Sequence, residues 1–68
     1  MVIKITVNGS PQDAPQGLRL PALLELIGID SARVAIELNR RIVRKSDWPS
    51  TTIQDGDSIE VVTFVGGG

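Results

Sequence analysis

The side chains able to carry chemistry make a short inventory: eight carboxylates, seven cations, no histidine and no cysteine. Without histidine the chain lacks the commonest general acid/base and the commonest metal ligand. Without cysteine it has no thiolate nucleophile, no disulfide and no sulfur metal site. A serine–histidine or cysteine–histidine hydrolase is therefore excluded. The acids Asp13, Glu25, Asp30, Glu37, Asp47, Asp55, Asp57 and Glu60 fall in turns or on faces that the pattern makes polar. Asp55 and Asp57 flank Gly56, where a tight turn needs short polar residues for backbone reasons alone. Two carboxylates also supply fewer oxygens than a calcium site wants. Arg40, Arg41, Arg44 and Lys45 form a local basic patch. It reads first as a charge-protected hairpin edge and second as a contact for a protein partner. A nucleic-acid site would want interleaved aromatics, and the chain has only Trp48 and Phe64. Trp48, followed by Pro49, is expected to pack over the rim of the core with its indole N–H bonded.

What is left is the end of the sequence, Phe64-Val65-Gly66-Gly67-Gly68. It is no phosphate loop, because no lysine and no helix follow the glycines. A terminal α-carboxyl titrates at about 3.3–3.7, so at neutral pH it is an anion and a poor electrophile. Activated as a mixed anhydride, it becomes an acyl group that a nucleophile can take. Glycine has no Cβ, so such a tail is thin and its terminal carbonyl unhindered. Val65 to Gly68 can extend about 13 Å, enough to enter a neighbour's active site. Backbone nests on a partner can capture the carboxylate. The competing reading is a frayed chain end.

The elements that must present this tail are legible from periodicity. Val2–Val7 alternates, with Ile3, Ile5 and Val7 on one face, and Asn8-Gly9 is a strong hairpin signal. Gln12–Ala14 is a short return strand, and Pro11 puts it at an edge. Leu20, Leu23, Leu24 and Ile27 share one face of a helix within residues 18–28, with Pro21 in its first turn and Gly28 at its end. Residues 34–39 alternate again, Asn39-Arg40 turns into a short Ile42-Val43 strand, and Asp47–Pro49 reads as a loop. After the turn at Gln54–Asp57, residues 59–64 form the last strand. The order β-β-α-β-β-β makes one α+β unit. On the last strand Glu60, Val62 and Phe64 share the face opposite Ile59 and Val61. Val62 and Phe64 are then either an exposed apolar pair beside the tail, hence a docking surface, or Phe64 folds over the sheet edge and is buried.

The formal net charge of −1 gives no sign of a polyanion binder. The first residues lack the pattern of a secretory signal, and no apolar run approaches the length of a membrane span. A soluble, cytoplasmic protein with no nucleic-acid or membrane partner and no metal is expected.

The segments VAIELN (34–39), DGDSIEVV (55–62) and FVGGG (64–68), with VNG (7–9) and Ser46-Asp47-Trp48, closely resemble the ThiS-type sulfur carriers of thiamine biosynthesis over essentially the whole sequence. The resemblance implies a ubiquitin-like β-grasp: a mixed sheet of four to five strands on one helix, a domain over residues 1–64 and a flexible tail over 65–68. It implies a protein co-substrate rather than an enzyme. An E1-like adenylating enzyme would use ATP to activate the Gly68 carboxylate, no cofactor being bound by the carrier itself. Sulfur from a cysteine desulfurase-type donor would convert it to a thiocarboxylate, and thiazole synthase would take that sulfur. Gly66 and Gly67 would be the thin tail. Val62, Phe64 and Val65 are expected, by position, to line the surface that docks on partners. Two neighbouring readings share the tail: the small subunit of molybdopterin synthase, and a ubiquitin-like modifier joined to lysine. A plain interaction domain is a third.

Overall fold

A computed structural model describes residues 1–64. Strand β1 (Val2–Val7) turns at Asn8-Gly9 into β2 (Ser10–Pro15), and the helix α1 (Leu20–Ile27) follows. A short 3-10 turn (Ser31–Arg33) leads into β3 (Val34–Leu38), Asn39-Arg40 turns into β4 (Arg41–Val43), and a second 3-10 segment (Lys45–Ser50) precedes β5 (Ser58–Thr63). The five strands form one sheet in the order β2-β1-β5-β3-β4. The last strand in sequence is thus the central strand in space.

Each hairpin is set by its turn. Asn8 and Gly9 both have positive φ, +51° and +82°, so Val7 pairs with Ser10 across a two-residue loop. Such primed turns match the twist of the strands they join. Pro11 and Pro15 are tolerated because β2 is an edge. The β3–β4 hairpin repeats the device with Asn39 at +51° and Arg40 at +70°. Arginine there is costly, since a side chain with a Cβ is strained in the left-handed region.

The helix begins at Leu20, two residues inside the expected segment. Arg19, at its N-cap position, is extended and provides no side-chain cap, and proline occupies the first turn. Leu18 and Arg19 stay extended for a reason the periodicity does not show. The Leu18 carbonyl accepts from the Ile53 N–H (2.9 Å), Leu20 N–H donates to the Thr51 carbonyl (3.2 Å), and Arg19 bridges Thr52. The helix stops at Gly28, whose φ of +76° lets Gly28 and Ile29 donate back to Glu25 and Leu24.

Side-chain alternation then builds the core. Ile3 and Ile5 of β1, Ala14 of β2, Val34 and Ile36 of β3, and Ile59 and Val61 of β5 point to the helix side. They meet Leu20, Leu23 and Leu24, with Trp48 and Ile53 closing the rim. Burying a leucine or isoleucine side chain contributes roughly 1.5–3 kcal/mol, which a domain of this size needs against its modest buried fraction. The loop expected at Asp47–Pro49 is instead the 3-10 segment. The Asp47 carbonyl accepts from the Ser50 and Thr51 hydroxyls (3.0 and 2.7 Å), and the Trp48 Nε1–H donates to the Val43 carbonyl at 3.0 Å. The indole anchors, as the sequence implies.

Candidate carrier end and open sheet face

The chain's last strand is held with unusual care at its start and middle. β5 runs antiparallel to β3 over five residue pairs, from Leu38↔Ile59 to Val34↔Thr63. Its pairing with β1 is parallel and covers only Thr6↔Ser58 and Val7↔Ile59, after which β1 turns away. From there the Asn8 side chain takes the place of the missing strand. Its Oδ1 accepts from the Val61 N–H at 2.8 Å and its Nδ2 donates to the Val61 carbonyl at 3.3 Å, as a peptide group would. Asn39 acts similarly on the other flank. Its backbone N–H donates to the Ser58 carbonyl (2.8 Å), its Oδ1 accepts from the Ser58 N–H (2.9 Å), and its Nδ2 donates to Asp57 (3.0 Å). Both asparagines are legible in the sequence as turn residues. Their second role is not, because it depends on what the fold brings beside them.

Asp55 and Asp57 take part in this support. Asp55 accepts from the Lys4 N–H (2.8 Å), while Asp57 accepts from the Gln54 N–H (2.7 Å) and from Asn39. Among the described residues no group of three or more metal-ligating side chains converges. The basic residues Arg40, Arg41, Arg44 and Lys45 lie along β4 and its flanks, all exposed. Among the described residues no helix is long and apolar enough to cross a membrane.

Past β5 the ladder continues by one bond: Phe64 N–H donates to the Arg33 carbonyl at 2.8 Å. The backbone is therefore fixed up to the residue where the glycine-rich end begins. Phe64 is 58% and Val62 49% exposed, which decides between the two readings of this pair. Both side chains stand on the open face rather than folding over the sheet edge. The register sets Ala35 beside Val62, and Glu37 lies between Glu60 and Ile42. The result is a small apolar patch of Ala35, Val62 and Phe64 near the end of β5, bordered on the side away from Phe64 by the directly opposed Glu37 and Glu60. Of the residues expected to act, Val62 and Phe64 are brought together here. Val65, Gly66, Gly67 and Gly68 lie outside the described residues.

A shallow hollow of about 400 Å³ is lined by Met1, Val2, Asp13, Ala14, Pro15 and Leu26. The parallel register of β1 with β5 puts it at the opposite end of the sheet from Phe64. Its one ionisable side chain, Asp13, lies 3.6 Å from Lys4 on the surface, so it offers no catalytic pair.

A five-stranded mixed sheet, one helix across it and the last strand at its centre define a ubiquitin-like β-grasp domain. A sequence profile described as the ThiS family matches residues 5–68, and the chain belongs to that family. It is 39% identical over 97% of its length to a protein named thiazole synthase from Paramagnetospirillum magneticum, of which it spans 20%. It is 33% identical to the sulfur carrier protein ThiS of Thermus thermophilus, with 94% of this chain and 98% of that one aligned. The crystal structure of the thiamine biosynthesis protein ThiS from Geobacter metallireducens superposes with a TM-score of 0.84 at 33% identity, covering 97% of this chain and 100% of that one.

Proposed function

We propose that this protein is a sulfur carrier of thiamine biosynthesis, acted on by other proteins rather than catalysing a reaction itself. The observation that carries the reading is the family match, which runs through Gly68, taken with a fold that leads its central strand out beside an exposed apolar face. In this reading the Gly68 carboxylate attacks the α-phosphorus of ATP in an E1-like adenylating enzyme, and pyrophosphate leaves. The acyl-adenylate carbonyl is then a good electrophile. The terminal sulfur of a persulfide, supplied through a cysteine desulfurase-type donor, adds to it and AMP departs, leaving an acyl disulfide; a thiol reduces the S–S bond, and the thiocarboxylate is released. Thiazole synthase takes that sulfur into the thiazole ring. The carrier itself holds no cofactor.

The chain's own contribution is positional. Gly66 and Gly67 give a tail without side chains, able to enter a narrow channel. Val62, Phe64 and Val65 dock the domain so that the tail reaches inward. Exposed aromatic and aliphatic side chains on a sheet face are the anchors such an interface uses. The relative named thiazole synthase, one fifth of which aligns with this chain, supports that enzyme as the acceptor.

Intact-mass spectrometry tests the reading. The protein is incubated with ATP, its activating enzyme, a cysteine desulfurase, cysteine and a thiol reductant. A species heavier by the difference between sulfur and oxygen is expected, localised to the C-terminal peptide. Recovery of the carboxylate alone would overturn the assignment. Ladders of lysine-linked conjugates would show a modifier instead.

A further inference from the structure

We propose that the outer edge of β4 receives an extended acidic segment of a partner protein, which adds to the sheet as a further strand. This proposal is independent of the sulfur-carrier reading. β4 is the last strand in the sheet order, so one of its edges is open. Leu38 and Arg41 close the two-residue turn, and Ile36 pairs with Val43, so Ile42 stands at the intervening position opposite Glu37. In an antiparallel ladder that alternation turns the Ile42 N–H and C=O away from β3. Among the described residues neither has a partner. The Ile42 side chain is 74% exposed on the open face.

Around this free backbone stand Arg40, Arg41, Arg44 and Lys45, all exposed. Among the described residues the ion pair present is Lys4–Asp13, so none of these cations is neutralised by a carboxylate. Lys45 lies over the Trp48 ring at 5.6 Å. The acids nearby are Glu37, across from Ile42, and Asp47 in the following turn. Arg40 adds an independent observation. Its φ is +70°, where glycine is unstrained and a residue with a Cβ is not. Its side chain makes no hydrogen bond or ion pair among the described residues. The fold therefore carries strain for a side chain that serves nothing inside it, and such outliers point to function.

Charge and pattern specify the occupant. Arg41 lies on the helix side of β4 and Ile42 on the open side. An added strand would set an apolar residue beside Ile42 and acidic residues beside Arg41, with Arg40 and Arg44 flanking. Main-chain bonds give such complexes affinity, and alternate side chains give specificity. A second copy of this chain is disfavoured, because two such edges would bring like charges together. A nucleic acid is disfavoured, because the patch offers no exposed aromatic for stacking, Trp48 being buried.

The test uses the full-length ¹⁵N-labelled protein and a capped synthetic peptide of alternating valine and glutamate. Amide shifts are expected across Arg40–Lys45 and β3, with slower hydrogen exchange at Ile42 and weaker binding as salt is raised. The Arg41→Glu/Arg44→Glu double variant should lose about tenfold or more in affinity while keeping its thermal midpoint. If that variant fails to fold, Arg40→Gly with Arg44→Gln replaces it. A valine–lysine peptide should not bind. Shifts centred elsewhere, or equal binding by the variant, would overturn the proposal. So would an oligouridylate acting on the same amides at lower concentration, or self-association through them.

Discussion

Replacing Asn8 isolates the device that holds β5 where β1 leaves it. In Asn8→Gly the positive φ of +51° is kept without strain, so the turn survives and only the side chain is lost. That removes both bonds to Val61, at 2.8 and 3.3 Å, in a part-buried position. Each such bond contributes about 0.5–1.5 kcal/mol net. The added backbone freedom of glycine in the unfolded chain costs about a further 0.5–1 kcal/mol. The expected loss is about 1.5–4 kcal/mol, and at about 4–8 °C per kcal/mol for a domain this small the thermal midpoint falls by about 6–30 °C. Asn8→Asp keeps the acceptor for the Val61 N–H but sets a carboxylate oxygen against the Val61 carbonyl, so it should lose stability too while keeping Val61 N–H better protected than Asn8→Gly. Circular-dichroism melts and urea titrations measure the stabilities, and amide exchange reads Val61 directly. The Val61 amide should exchange far faster in Asn8→Gly than in the parent, even after correction for global stability. If Asn8→Gly melts within a degree or two of the parent, or Val61 exchange follows global unfolding in both, the side chain is not acting as a surrogate strand.

Arg40→Gly should act in the opposite direction. It relieves left-handed strain of about 1–2 kcal/mol and loses part of that to backbone entropy, so a small rise in thermal midpoint is expected, whereas Arg40→Ala, which keeps the Cβ, should gain less. Removing Gly68 should abolish thiocarboxylate formation by intact mass and leave the melting temperature unchanged; a large fall in stability would show that the end of the chain is structural. Phe64→Asp, at a position 58% exposed, should change stability by less than about 0.5 kcal/mol, yet slow adenylation by the activating enzyme, measured as pyrophosphate release at limiting carrier. Leu24→Ala, in contrast, should lose about 2–5 kcal/mol in a urea titration, because Leu24 is fully enclosed by the sheet.

Much of this architecture follows from short-range rules. The alternation of Ile3 with Ile5 and of Ile59 with Val61, the spacing of Leu20, Leu23 and Leu24, and the Asn8-Gly9 turn each encode one element and one buried face. What was hidden depends on partners distant in sequence. Ile53 is fully buried, yet it sits alone among polar residues, and no period marks it. Leu18 looks helical by composition, but its carbonyl is claimed by Ile53. The 3-10 segment around Trp48 depends on side-chain bonds to the Asp47 carbonyl that no pattern predicts. The candidate site divides in the same way. Elimination of other chemistry points to the end of the sequence, and the alternation of β5 puts Val62 and Phe64 on one face. Whether that face is open depends on helix placement, which the side-chain pattern leaves free.

The central position of β5 has a mechanical consequence. Hydrogen bonds to an antiparallel neighbour lie across the strand direction. A pull on the chain beyond Phe64, along the axis of β5, therefore loads the β3 pairs, the two short β1 pairs and the asparagine bonds together, in shear. The sheet cannot be unzipped one bond at a time from that end. An edge strand pulled outward from the sheet would peel. A partner that grips the end of this protein and tugs can draw the whole domain after it without unravelling it.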